Sequence, residues 1–364
     1  MGALTRASST RLTARCISLF TLVAAVGCAH NRPVAETPET AEIDATAATA
    51  EAAEQGAYLF SYFRRNGEDG LHLAYSHDGI NWLPINHGRS LVHPAVEGEG
   101  IGWQEWGTRA SLMRDPCILR GPDGMFHMVW TIAWTDKGIG VAHSPDLIHW
   151  SEQERIPVMD HEPDALQAWA PELFYDDATQ QYLIFWATAI PGRFPASDSA
   201  AQKTSRGRAN QRLYYVTTKD FKSYSKARLL YDGGFATIDG TIAKRGDRYY
   251  LVMKDETFYP PHRNLRVASS EHATGPYGPA SPPFTEKDTE GPSILHVDDY
   301  WYVYYDRYTR GRYGAVRTKD FEHWEKYTDS LNAPRGIRHG SAFRVSESVL
   351  DGLLALDTAE AATP

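Results

Sequence analysis

The chain has 364 residues, a formal net charge of −9 and 12 % aromatic residues, 10 of them Trp. The acidic balance excludes nucleic acid as the default partner. The aromatic content favours an all-β fold with surfaces able to stack on sugars, and the length suits one large β domain.

The first segment is not part of that fold. Arg6, Arg11 and Arg15 precede an apolar run from Cys16 to Val26, the charged start and hydrophobic stretch of an export signal. The run is too short for a stable membrane span. It ends at Ala25-Val26-Gly27-Cys28, a sequence similar to a bacterial lipoprotein cleavage site, which would make Cys28 the lipidated first residue. Residues 29–55 are rich in Ala, Thr, Glu and Pro and carry no aromatic side chain, so 28–55 reads as a disordered tether. The expected location is the bacterial cell envelope, with membrane contact through the lipid anchor only. Cys16, Cys28 and Cys117 are the only cysteines, so the mature chain has no pair left for an internal disulfide.

From residue 57 the sequence repeats. The segment Ala57 to Pro84 holds two aromatic-rich strands and a closing Asp78-Gly79-Ile80-Asn81-Trp82. Four copies then open with a polar residue, a Pro or Gly and apolar residues: Arg114-Asp115-Pro116, Trp169-Ala170-Pro171-Glu172, Ile238-Asp239-Gly240 and Glu290-Gly291-Pro292. Each leads into a second strand such as Tyr249-Tyr250-Leu251-Val252, and three close with Ser/Thr-x-Asp-φ-x-x-Trp/Tyr. Repeats of roughly 40–50 residues built from short strands predict a β-propeller. The opening segment lacks the leading phrase, and Arg338-His339-Gly340-Ser341 supplies one with nothing behind it. Ring closure follows: the C-terminal strand should complete the blade begun by the N-terminal strands, giving five blades and few open sheet edges. The predicted boundaries are a signal at 1–27, the tether at 28–55, the propeller at 56–346 and a tail at 347–364. Pro191 to Gln211 interrupts the third repeat as an irregular insertion able to form part of a pocket rim.

Inner strands of a propeller converge on one axis, so Asp115, Asp239, Glu290 and His339 should meet in a central pocket. Glycosidic cleavage needs one protonated carboxyl for the leaving oxygen and one carboxylate for water or carbon. Glu290 stands one residue earlier in its phrase than the two Asp residues, which in a regular strand would turn it to another face; its aim is expected to come from the preceding loop. Trp82, Trp150 and Trp324 recur at the ends of outer strands and read as blade packing. Lys254-Asp255-Glu256 reads as a solvated charged turn, and Cys117 as a small half-buried side chain.

The five leading phrases, in this order and spacing, resemble glycoside hydrolase family 43 over about residues 57–345. The resemblance implies a five-bladed propeller that hydrolyses by inversion, with an α-L-arabinofuranosidase as the best single assignment and β-xylosidase or galactosidase specificity as alternatives. It implies Asp115 as general base, Glu290 as general acid and Asp239 as the residue that orients the acid and keeps its pKa high. Trp134, Trp169, Glu172, Arg307 and His339 are the candidates for sugar contact. No cofactor is required; a structural calcium ion near the axis, reached by His339 through water, is the one metal the resemblance suggests. The partner is an oligosaccharide or polysaccharide. A catalytically silent glycan-binding propeller is the competing reading, and retention of all three carboxylates argues against it.

Overall fold

A computed structural model describes residues 56–101, 109–201 and 210–359; the expected signal, Cys28 and tether lie outside the described residues. Among the described residues, five antiparallel sheets follow one another in sequence order as the blades of a propeller. Blade I comprises Ala57–Tyr62, His72–Ser76 and Leu83–Pro84, with Ala342–Val345 as its inner edge. Blade II comprises Arg114–Arg120, Phe126–Thr131, Ile139–Ser144 and Glu154–Ile156. Blade III comprises Trp169–Asp176, Gln181–Ala189, Gln211–Thr218 and Arg228–Tyr231. Blade IV has Thr237–Arg245, Arg248–Asp255 and Asn264–Ser270; blade V has Glu290–Val297, Tyr300–Arg307, Arg312–Thr318 and Glu325–Lys326.

Closure is as the split repeat requires. Ala57 to Phe60 pair antiparallel with Val345 to Ala342. Ser341 laces the seam: its backbone N–H donates to Ser61 Oγ at 2.9 Å and its Oγ accepts from Ile118 N–H at 2.8 Å. Ala342 N–H donates to Ser293 Oγ at 2.7 Å, so the closing strand is tied to the blades on both sides.

The recurring Ser/Thr-x-Asp phrase is a side-chain-capped turn. Ser144 Oγ accepts from Leu147 N–H, and Asp146 Oδ1 accepts from Ile148 and His149 N–H. Thr218 with Asp220 and Thr318 with Asp320 repeat the arrangement. Each such bond satisfies a backbone donor that the tight turn would otherwise leave unpaired. The recurring Trp at the end of the phrase packs within or between blades, as expected. Trp82 is buried and donates to Gly79 O, while Trp324 stacks on Phe284 at 3.9 Å.

Blade IV has three strands because its outer edge runs through Gly278-Pro279-Ala280-Ser281-Pro282-Pro283-Phe284. Proline has no N–H to place in a ladder. The segment therefore bonds only where a donor remains, from Gly278, Ser281 and Phe284 to Ser269, Val267 and Leu265.

Apolar clusters lie between adjacent blades, with Trp130, Trp186, Tyr304 and Tyr305 among the largest fully buried side chains. Burying one such side chain is worth about 1.5–3 kcal/mol. The expected C-terminal tail is instead a helix, Glu347–Ala359, with Leu350 and Leu353 in the core cluster beneath blades I and II. Its spacing puts Leu350 and Leu353 on one face, at i and i+3, which the core buries. A short ribbon of Gly98–Ile101 and Arg109–Ala110 stands outside the blades. No described helix is long and apolar enough to cross a membrane.

Candidate active site

The inner strands share one local irregularity. Each of the first four carries a register shift at its entry, at Arg114/Cys117, Trp169/Glu172, Ile238/Thr241 and Glu290/Ser293. The second residue of each phrase has a left-handed backbone: Asp115 at φ 52°, Ala170 at 45°, Asp239 at 50° and Gly291 at 56°. A regular strand sends consecutive residues to opposite faces; a bulge sets two residues against one and re-aims them. Consequently Arg114 and Asp115 both line the central cavity, as do Trp169 and Ala170, and Ile238 and Asp239. Glu290 joins them from the position before Gly291. Its aim comes from the bulge rather than from the preceding loop. Asp tolerates the left-handed region better than most residues.

The cavity has a volume of about 800 Å³, ample for a sugar. At its floor Asp115, Asp239 and Glu290 converge on His339. His339 Nδ1 lies 3.2 Å from Asp115 Oδ1 and 3.9 Å from Asp239 Oδ2, and Nε2 lies 3.0 Å from Glu290 Oε1. These contacts limit the separation of Asp115 and Glu290 to no more than about 8.5 Å, within reach of the roughly 6.5–9.5 Å used by inverting glycosidases.

Each carboxylate is held differently. Asp115 Oδ2 accepts from Thr131 Oγ1 at 2.9 Å, whereas its Oδ1 is buried and makes no hydrogen bond, the approach of His339 being misaligned. Asp239 Oδ2 accepts from Gly291 N–H at 3.0 Å. Burial pushes Asp239 up; the charge of His339 opposes this and that of Glu290 adds to it. Glu290 Oε1 takes Arg338 Nη2 at 2.9 Å and His339, and Oε2 takes Lys254 Nζ at 2.8 Å. Burial would raise Glu290, but Lys254, His339 and Arg338 outweigh it and hold the carboxyl well below the usual range. Burial likewise opposes charge on His339, yet Asp115, Asp239 and Glu290 push it up to about 9.

Asp239, Glu290 and His339 offer donor atoms within 4.8 Å of one another. Calcium takes about six to eight oxygen ligands. Here an imidazolium already stands among the carboxylates with both nitrogens turned to them, and Lys254 and Arg338 supply further positive charge. The donor set does not fit calcium.

Of the sugar-contact candidates, Trp134, Trp169 and His339 line the cavity. The two indoles meet edge to face at 5.6 Å, and Arg114 lies over the Trp134 ring at 4.4 Å. Their N–H groups are committed, Trp134 to Asn66 Oδ1 and Trp169 to Trp134 O. Glu172 does not line this cavity. It borders a narrow crevice deeper on the axis and accepts from Cys117 Sγ at 3.3 Å. Arg307 is outside too, with Nε 2.8 Å from Glu286. None of the described residues of the 191–211 insertion lines the cavity; the helix Pro195–Ala201 instead receives Phe258 and Tyr259 N–H at Ala200 O.

Lys254-Asp255-Glu256 is the largest departure from expectation, for Lys254 and Asp255 are buried and not a solvated turn. Lys254 pairs in register with Ile238, Asp306 with Glu290, and Thr131 with Arg114. In an antiparallel hairpin the end of the second strand lies beside the entry of the first. Counting back from each leading phrase across its hairpin would have found Lys254, Asp306 and Thr131.

The family described as a probable glycosyl hydrolase domain, related to family 43, matches residues 54–351. An alpha-L-arabinofuranosidase of Bifidobacterium longum subsp. longum is 23 % identical over 196 residues, which cover 47 % of this chain and only 18 % of that relative. Among solved structures, alpha-L-arabinofuranosidase from Lactobacillus brevis is 16 % identical, covering 59 % of this chain and 72 % of that one at a TM-score of 0.45. A thermostable family-43 glycoside hydrolase is 15 % identical, covering 68 % and 82 % at a TM-score of 0.47. Hydrolysis of glycosidic bonds by a family of this kind needs no organic cofactor. The chain belongs to the family-43-related glycosyl hydrolases.

Proposed function

We propose that the protein removes terminal sugars from plant-type or related glycans by a single inverting displacement, with α-L-arabinofuranosides as the preferred substrates. The carrying observation is the pairing of Asp115 and Glu290 across His339 at the floor of a sugar-sized cavity. Asp115 acts as the base, with Oδ2 fixed by Thr131 Oγ1 and Oδ1 facing His339. Glu290 acts as the acid and Asp239 as its negative neighbour, within 4.8 Å. The name of the Bifidobacterium longum relative supports the choice of sugar. Trp134 and Trp169 offer apolar ring surface to a sugar face. The protein acts in the bacterial cell envelope, exported and anchored through Cys28.

A panel of 4-nitrophenyl furanosides and pyranosides identifies the sugar, and NMR of the first product reads its anomer. Asp115→Ala should abolish turnover on every substrate. Glu290→Ala should damage poor leaving groups far more than aryl glycosides, because a good leaving group departs unprotonated. Retention of configuration, or a Glu290→Ala defect independent of leaving group, would show the pair to be misassigned.

A further inference from the structure

Glu290 is caged by charge. Lys254, Arg338 and His339 touch it directly, and Arg114 and Asp115 line the same cavity from the inner strand of blade II. Asp239 faces it from blade IV and Asp306 lies opposite it in blade V, while Tyr308 and Tyr313 complete the ionisable surroundings. An acid in this cage must accept a proton before each turnover, so one of its cations has to withdraw. Arg338 is pinned from behind, with Nε 2.5 Å from buried Asp306. His339 is pinned between Glu290 and Asp115. Lys254 differs from both. Its ammonium is buried, lies 2.5 Å from Glu256 Oε2 and 2.8 Å from Glu290 Oε2, and ends a flexible four-carbon stem. Glu256 lines the cavity itself, so an incoming sugar can reach it.

We propose that Lys254 and Glu256 are positioning residues that set the protonation of Glu290, the shared ammonium acting as a movable counter-charge. This rests on Glu290 being the general acid. When Lys254 leans on Glu256 it gives up a single contact. Glu290 then takes a proton from solvent while Lys254 keeps its own and remains an ammonium. In turnover that proton passes to the glycosidic oxygen as the C–O bond breaks, water bonds to the anomeric carbon and gives a proton to Asp115, and the restored Glu290 carboxylate draws Lys254 back. Burial pushes Glu256 up and Lys254 opposes it, which is consistent with two carboxylates competing for one cation.

The test uses the 4-nitrophenyl glycoside that the wild type cleaves and the methyl glycoside of the same sugar, with kcat/KM followed against pH. Lys254→Met removes a cation, so Glu290 holds its proton more tightly and the alkaline limb for the methyl glycoside should rise by about one pH unit. Glu256→Gln leaves the ammonium wholly to Glu290 and removes a negative neighbour, so that limb should fall by about as much. Loss of packing alone would lower rates without moving the limbs in opposite directions. Unmoved limbs, or limbs that move together, overturn the proposal. If Lys254→Met does not fold, Glu256→Gln decides alone, and a limb that stays or rises overturns it. Glu290→Gln is the control on the underlying reading: an equal defect on both substrates would sink the acid assignment itself, whatever the two other variants do.

Discussion

Replacing Gly291 by Ala tests whether the bulge at the head of blade V is what aims the site. The residue has φ 56°, and a Cβ there would stand 2.3 Å from His339 Cγ and 2.5 Å from His339 Cβ. Two costs combine. A left-handed backbone is unfavourable by about 1–2 kcal/mol for a residue with a Cβ, and forcing extra volume into packed surroundings adds about 1–3 kcal/mol. Gly246 separates them. It has φ 57°, lies in the exposed turn between Arg245 and Arg248, and a Cβ there meets nothing within 4 Å. Gly246→Ala should therefore lose about 1–2 kcal/mol in urea unfolding and keep its kcat/KM. Gly291→Ala should lose about 2–5 kcal/mol. It should also lose on the order of 100-fold in kcat/KM, the scale of a 1 Å misplacement at a reacting centre. If the two variants unfold alike and Gly291→Ala stays active, contact with His339 does not constrain the site and the reasoning fails.

Three further outcomes are expected. Burial pushes Glu172 up to about 8, although part of its surface borders the axial crevice; a carboxyl raised above its unfolded value of about 4.3 loses stability as pH climbs from there through 8. Glu172→Gln should remove that slope, so the variant gains on the wild type in urea midpoint between pH 5 and 8, and parallel pH curves would contradict the assignment. Asp239→Asn takes a negative neighbour from Glu290 and should move the alkaline limb of the pH–rate profile downward; an upward shift would argue against its place beside the acid. Metabolic labelling with a palmitate analogue should mark the wild type and not Cys28→Ser, and equal labelling of both would exclude the anchor.

Much of this protein was legible in its sequence. Repetition needs no distant information: five leading phrases, aromatic second strands and the capped Ser/Thr-x-Asp turns each arise from residues close in the chain, and together they require five blades. The split first repeat even specified which termini close the ring, because a blade without an inner strand leaves an unpaired edge. Convergence of Asp115, Asp239, Glu290 and His339 followed from the same symmetry. The segment after Val345 misled, since one buried helical face looks like a stray apolar patch until the propeller offers it a surface. Arg307 and Glu172 misled for another reason, as an ion pair with Glu286 and a place in the axial crevice are not written in local pattern. The charge state of the site was decided only by tertiary structure. Lys254 and Glu256 look like solvated residues along the chain, yet hairpin register buries Lys254 against Glu290 and brings Glu256 to the cavity lining. Whether a carboxyl there holds its proton depends on cations from two separate segments meeting within hydrogen-bond distance, and electrostatic energy depends on distance in space rather than separation in sequence.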